Sequence, residues 1–112
     1  MPCGGRAMDH FLYKNGELYA EDVAVREIAA HVGTPFYLYS TATLTRHYSL
    51  FKDALAGLDN LVCFAVKANS NQAVLRHLGN LGAGMDVVSG GEYARARAWG
   101  VDGSKLGVSG VG

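Results

Sequence analysis

Residues 61–89, LVCFAVKANSNQAVLRHLGNLGAGMDVVS, decide how the rest of the chain is read. Leu61 to Val66 is continuously apolar and β-prone, the pattern of a strand covered on both faces. Lys67 ends that run, and Asn69, Ser70 and Asn71 follow at once. The period then changes. Over residues 71–81, Val74, Leu75, Leu78 and Leu81 fall on one helical face, and Gly82 marks the stop. AGMDVVS, residues 83–89, returns to a short apolar strand. A strand, a helix and a strand in such close succession predict a βαβ unit, with two parallel strands joined by a right-handed crossover.

The pattern continues in both directions. Residues 91–99 read as a helix closed by Gly100, and KLGVSG, residues 105–110, as a third strand. Strand centres fall near residues 64, 87 and 107, so the strand–helix unit repeats every 20 to 23 residues. Toward the N-terminus, Thr41 to Gly57 reads as a long helix, with Leu44, Tyr48, Phe51, Leu55 and Leu58 on the helical repeat and Ser40 or Thr41 as N-cap. PFYLYS, residues 35–40, reads as a strand. Residues 22–32 put Val25, Ile28, Ala29 and Val32 on one helical face, ahead of a stop at Gly33 and Pro35. FLYKNGELYA, residues 11–20, holds two short alternating runs around Asn15-Gly16. That dipeptide predicts a hairpin, because a type I′ turn needs positive φ at both central positions.

The fold class expected is therefore α/β. A closed (β/α)8 barrel takes roughly 200–250 residues, whereas this sequence has 112 and ends just after its third strand. The expectation is a truncated chain, the opening of a larger α/β domain.

Composition narrows the function classes. The sequence is 49% apolar and 18% charged, and ten basic residues balance ten acidic ones. Mean hydropathy is +0.07 and the pI is about 6.9. Nucleic acid and anionic membrane surfaces call for an excess of Lys and Arg, so neither is an expected partner. No run approaches the roughly 18 apolar residues of a membrane span. Cys3 and Cys63 form no disulfide framework, and His10, His31, His47 and His77 lack ligand spacing, so no metal site is expected. The first residues, MPCGGRAMDHF, lack the apolar core of a secretory signal. Met8 stands directly before the first patterned segment. The expectation is a start at Met8, with residues 1–7 a disordered upstream extension of a reduced, cytoplasmic protein.

Lys67 is the residue that calls for an explanation. The nearest lysine before it is Lys52 and the nearest arginine after it is Arg76, so it belongs to no solvated charge face. In parallel α/β sheets functional groups gather where strands end and βα loops begin. Two readings stand open at this point: a strand-end lysine snorkelling to water, and an amine nucleophile whose neutral form apolar walls would favour. Asp86, inside the apolar run GMDVVS, is a costly carboxylate to bury without a partner. If the two strands are neighbours, Lys67 and Asp86 meet at one rim. Ser89-Gly90-Gly91-Glu92 makes a tight strand-to-helix turn that could present amides to an anion, although no complete dinucleotide or P-loop motif follows. Asn69, Ser70 and Asn71 read as helix-capping residues, and Phe36, Tyr37 and Tyr39 as core aromatics.

Taken as a whole, CFAVKANSNQAVLRHLGNLGAGMDVVSGGE followed by SGVG resembles the opening of the diaminopimelate decarboxylases, fold-type III pyridoxal phosphate enzymes related to alanine racemase. The resemblance runs from about Phe11 to Gly112 and includes the leading hairpin and GTPFYLYS. Alanine racemases are similar around the lysine but carry a Tyr-Gly-His-Gly run after the asparagine, where this chain has Ser70-Asn71-Gln72. Ornithine- and arginine-type decarboxylases lack the DVVSGGE wording.

What the resemblance implies can be set down residue by residue. The fold would be the incomplete N-terminal part of a (β/α)8 TIM-type barrel, preceded by a hairpin that belongs to a second, β domain. Residues 8–34 would be the N-terminal hairpin and helix, and residues 35–112 the first strand–helix units of a pyridoxal phosphate-binding barrel. Lys67 would be the lysine that forms the internal aldimine with pyridoxal 5′-phosphate. Asp86 would be a pocket carboxylate near that linkage, and Ala65 would face the cofactor from the same side of the strand as Lys67. The reaction implied is decarboxylation of meso-2,6-diaminoheptanedioate to L-lysine and CO2, in a homodimer when full length. The cofactor-stacking histidine, the glycine-rich phosphate loop and the partner of the pyridine nitrogen would lie downstream, so the 112 residues alone are expected to be inactive. Another fold-type III decarboxylase or racemase, and a non-catalytic remnant, stay open as alternatives.

Overall fold

The structure, a computed structural model, describes residues 8–98 and 100–110. The expectations for residues 1–7, for Trp99 and for the final Val111 and Gly112 lie outside the described residues. The chain divides into two units, one up to Arg46 and one from His47 onward.

In the first unit, Phe11–Lys14 (β1) and Glu17–Ala20 (β2) form the expected antiparallel hairpin, with Lys14 opposite Glu17. Asn15 and Gly16 take φ of 53° and 79°, the two left-handed residues that a two-residue turn of this hand requires. Val23–Ala24 (β3) then adds an antiparallel strand to β2. This shortens the helix expected from residue 22. Two of its residues are taken into the sheet, and α1 runs over Val25–Val32. Gly33 closes α1 at φ 78°, with its N–H donating to the Ala29 carbonyl. Arg26–Glu17 at 2.9 Å and Lys14–Asp22 at 3.7 Å are surface ion pairs, each worth under about 1 kcal/mol.

PFYLYS is not a strand. Residues 36–40 take no regular secondary structure, and Tyr37 is 90% exposed. A β-prone sequence becomes a strand only where a neighbour completes its hydrogen bonds, and none of the described residues supplies one. The same segment ends in a cap: buried Ser40 accepts the Thr43 N–H at 3.1 Å and starts α2, Thr41–Ala54. Ser40 is thus the N-cap, and α2 stops three residues short of Gly57.

The second unit carries the parallel sheet. Lys52 donates to the Asn60 side-chain carbonyl at 2.7 Å, and Asn60 donates to the Leu58 carbonyl at 2.8 Å, tying down the loop after α2. Cys63–Ala65 (β4), Gly84–Val87 (β5) and Leu106–Val108 (β6) follow, with Gln72–Asn80 (α3) and Gly90–Ala98 (α4) between them. The order is β4-β5-β6 and both pairings are parallel, as the alternation of strands and helices requires. Asn71 caps α3, its Oδ1 accepting the N–H groups of Ala73 and Val74. At the last crossover Asp102 accepts the Ser104 N–H at 2.9 Å, and these Ser104 hydrogen bonds hold its carboxyl below the usual carboxylate range.

The core of the second unit consists of Val66, Ala83, Met85 and Val87 together with Val74, Leu75 and Leu78 of α3, Ala96 of α4 and Val101. Leu61 to Val66 is not the doubly covered strand its composition predicts. β4 is three residues long, and Leu61 and Cys63 are exposed. The reason lies in the layering: α3 and α4 supply one layer of apolar side chains, and no second layer stands opposite among the described residues.

Candidate active site

Strand register positions the candidate residues. Ala65 stands opposite Asp86, and Asp86 opposite Gly107. Cys63 faces Gly84 and Met85 faces Leu106, so both ladders keep one offset of 21 residues. Residues directly opposite in a parallel sheet share a face. Ala65, Asp86 and Gly107 therefore form one row, and Met85 and Val87 point the other way into the core. Asp86 is half-buried between two fully buried neighbours.

The backbone leaves β4 at Ala65 and turns tightly through Val66–Ala68, with the Asn69 N–H donating to the Val66 carbonyl. Lys67 sits in that turn, at the carboxyl end of β4. The strand alternation ends at Ala65, so the period of two that links Ala65 to Lys67 in the sequence does not carry through the turn. Lys67 is exposed, and no hydrogen bond or ion pair engages its amine among the described residues. β4 and β5 are neighbours, with Ala65 opposite Asp86 and Lys67 two residues further on, in the turn.

Asp86 does have a partner. Ser109 Oγ donates to Asp86 Oδ1 at 2.5 Å. The Ser109 N–H donates to the Val87 carbonyl at 3.0 Å, extending the ladder past β6. Sequence reading assigned Ser109 no role. The signal that finds it is the 21-residue offset, which sets residue 109 one step beyond Val108 beside the end of β5.

The Ser89–Glu92 turn forms a cap of its own. Ser89 Oγ accepts the Glu92 N–H at 3.1 Å and donates to Glu92 Oε2 at 3.4 Å, a side-chain cap at the start of α4. Gly90 and Gly91 serve the strand-to-helix turn. Asn69 behaves similarly, its Oδ1 accepting the Asn71 N–H at 2.9 Å. Among the described residues no three His, Cys, Asp or Glu side chains gather as a metal site, and no helix is long and apolar enough to cross a membrane.

The donor set has a definite chemistry. An accessible primary amine without a partner can add to an aldehyde carbon. A carboxylate fixed on the adjacent strand can hold a cation beside it. The residues present thus fit an aldehyde cofactor such as pyridoxal phosphate.

Comparison with known proteins agrees. The sequence model described as pyridoxal-dependent decarboxylase, pyridoxal binding domain, matches residues 41–111. This chain belongs to that family. The diaminopimelate decarboxylase of Pseudomonas fluorescens is 55% identical over 105 residues, covering 94% of this chain and 25% of that protein. The Haemophilus influenzae diaminopimelate decarboxylase is 49% identical over 104 residues, 93% of this chain and 25% of the relative. Among solved structures, one from Aquifex aeolicus superposes with a TM-score of 0.84 at 40% identity, over 92% of this chain and 25% of that one. Diaminopimelate decarboxylase from M. jannaschii in complex with L-lysine gives 0.81 at 33% identity, over 91% and 25% of the two chains. The chain spans about a quarter of the length of the relatives it matches.

Proposed function

We propose that this chain is the N-terminal part of the cofactor-binding domain of a diaminopimelate decarboxylase, which releases CO2 from meso-2,6-diaminoheptanedioate and leaves L-lysine. The observation that carries the reading is the match of residues 41–111 to the pyridoxal binding domain, supported by an exposed Lys67 in the turn after β4 and by Asp86 on the adjacent strand β5. The identities to named diaminopimelate decarboxylases, and the L-lysine bound to one structural neighbour, support the choice of substrate.

In this reading the parallel units are the opening of a (β/α)8 barrel, and the hairpin of residues 11–20 belongs to a second, β domain. Residues 8–34 are read as the N-terminal hairpin and helix, and residues 35–112 as the first strand–helix units of the barrel. The whole protein acts as a cytoplasmic homodimer.

Pyridoxal 5′-phosphate, when bound, supplies an aldehyde for amine capture and an electron-withdrawing ring that takes up the electrons left by departing CO2. Lys67 would hold the group through its Nζ, the amine that the substrate's own amine would replace. Once released, its amine is placed to carry a proton to or from the reacting carbon. Asp86 would present its carboxylate to a cationic nitrogen of the bound group. Ala65, opposite Asp86, puts only a methyl group into that row and would leave room there for the group.

The test is a substrate panel with the full-length protein and added pyridoxal phosphate. CO2 release from meso-2,6-diaminoheptanedioate, with L-lysine formed in equal amount, is expected. Preference for ornithine or arginine, or racemisation of alanine, would move the chain to another branch of the fold. No turnover on any of them would favour a non-catalytic remnant.

A further inference from the structure

We infer that Ser109 is a positioning residue that aims the Asp86 carboxylate at the cofactor site, an inference that rests on the pyridoxal phosphate reading above. The Ser109 hydroxyl provides the one hydrogen bond that reaches the Asp86 side chain among the described residues, and it does so at 2.5 Å. A hydroxyl bonded to a carboxylate is charge-assisted and short. It restrains one oxygen, Oδ1, and leaves Oδ2 free for a cation.

Three features make this a built arrangement. The Ser109 backbone is tied to β5 by its N–H to the Val87 carbonyl at 3.0 Å, so the hydroxyl position is set by the sheet and not by a loose loop. Gly107 stands directly opposite Asp86 and puts no side chain in the way. Ser109 lies two residues beyond Gly107, and strand alternation returns it to the face that carries Asp86. Asp86 belongs to no ion pair among the described residues, so Ser109 is its polar partner there.

The test is a double-mutant cycle on the full-length protein, read as the dissociation constant for pyridoxal phosphate. Ser109→Ala should weaken binding about tenfold, the scale of a hydrogen bond to a charged group. Ser109→Thr keeps the hydroxyl and should stay within about twofold of the wild type. Against an Asp86→Asn background the Ser109→Ala change should shrink to less than about twofold, because the serine acts through the carboxylate. A Ser109→Ala protein that binds as tightly as the wild type would overturn the inference. So would an equal loss in both Asp86 backgrounds, since that is the signature of a general structural role. A wild type that binds no pyridoxal phosphate would remove the functional reading and the positioning role together.

Discussion

The two faces of β5 differ sharply. Met85 and Val87 are 0% and 1% exposed and join the α3 and α4 side chains in the core, whereas Asp86 between them is only half-buried and looks across a row of Ala65 and Gly107. One strand thus turns Met85 and Val87 into the core and keeps Asp86 on its other face. The strand period of two makes this separation possible. Residues on the helix-covered face can be judged by volume alone. Those on the other face have to be judged by charge, hydrogen bonding and access.

Four substitutions sharpen or break that contrast, in order of falling effect on stability. Leu75, fully buried on α3, should lose about 2–5 kcal/mol as Leu75→Ala, seen as a lower midpoint in denaturant titration. An unchanged midpoint would mean that the helix-covered face is not the core. Gly84→Ala tests the strand spacing. A Cβ there would sit 2.7 Å from Cys63 Sγ and 2.8 Å from the Lys105 carbonyl oxygen. The thiol can swing away but the backbone oxygen cannot, so a loss of about 1–3 kcal/mol is expected. Asn71→Ala removes the α3 cap and should cost about 1 kcal/mol, with Asn71→Ser largely restoring it. Lys67→Ala should move stability by no more than about 0.5 kcal/mol, since the side chain is exposed and unpaired. A destabilisation above about 2 kcal/mol would instead make Lys67 a packing residue.

The same contrast separates what could be read from sequence from what could not. The Asn15-Gly16 hairpin and the Asn71 cap were legible because their physics is local: positive φ in a two-residue turn, and a side-chain oxygen facing free helix N–H groups. The parallel sheet was legible because its strand–helix unit recurs at nearly constant length. PFYLYS and the full span of residues 61–66 were not, because strand extent and double burial depend on neighbours that a local apolar pattern cannot supply. Lys67 and Asp86 stood out as charges inside apolar runs. Ser109 did not, because its role comes from register, which ties residue 109 to residue 86 only once the strands are aligned.

The central claim is that Lys67 is the amine that captures the cofactor aldehyde at the open rim. The most direct measurement is borohydride reduction of the full-length protein with pyridoxal phosphate, followed by peptide mapping. The account predicts one phosphopyridoxyl group per chain on the peptide that contains Lys67, and none at that peptide in Lys67→Ala. Label on a different lysine, or stable binding with no reducible linkage at Lys67, would contradict it.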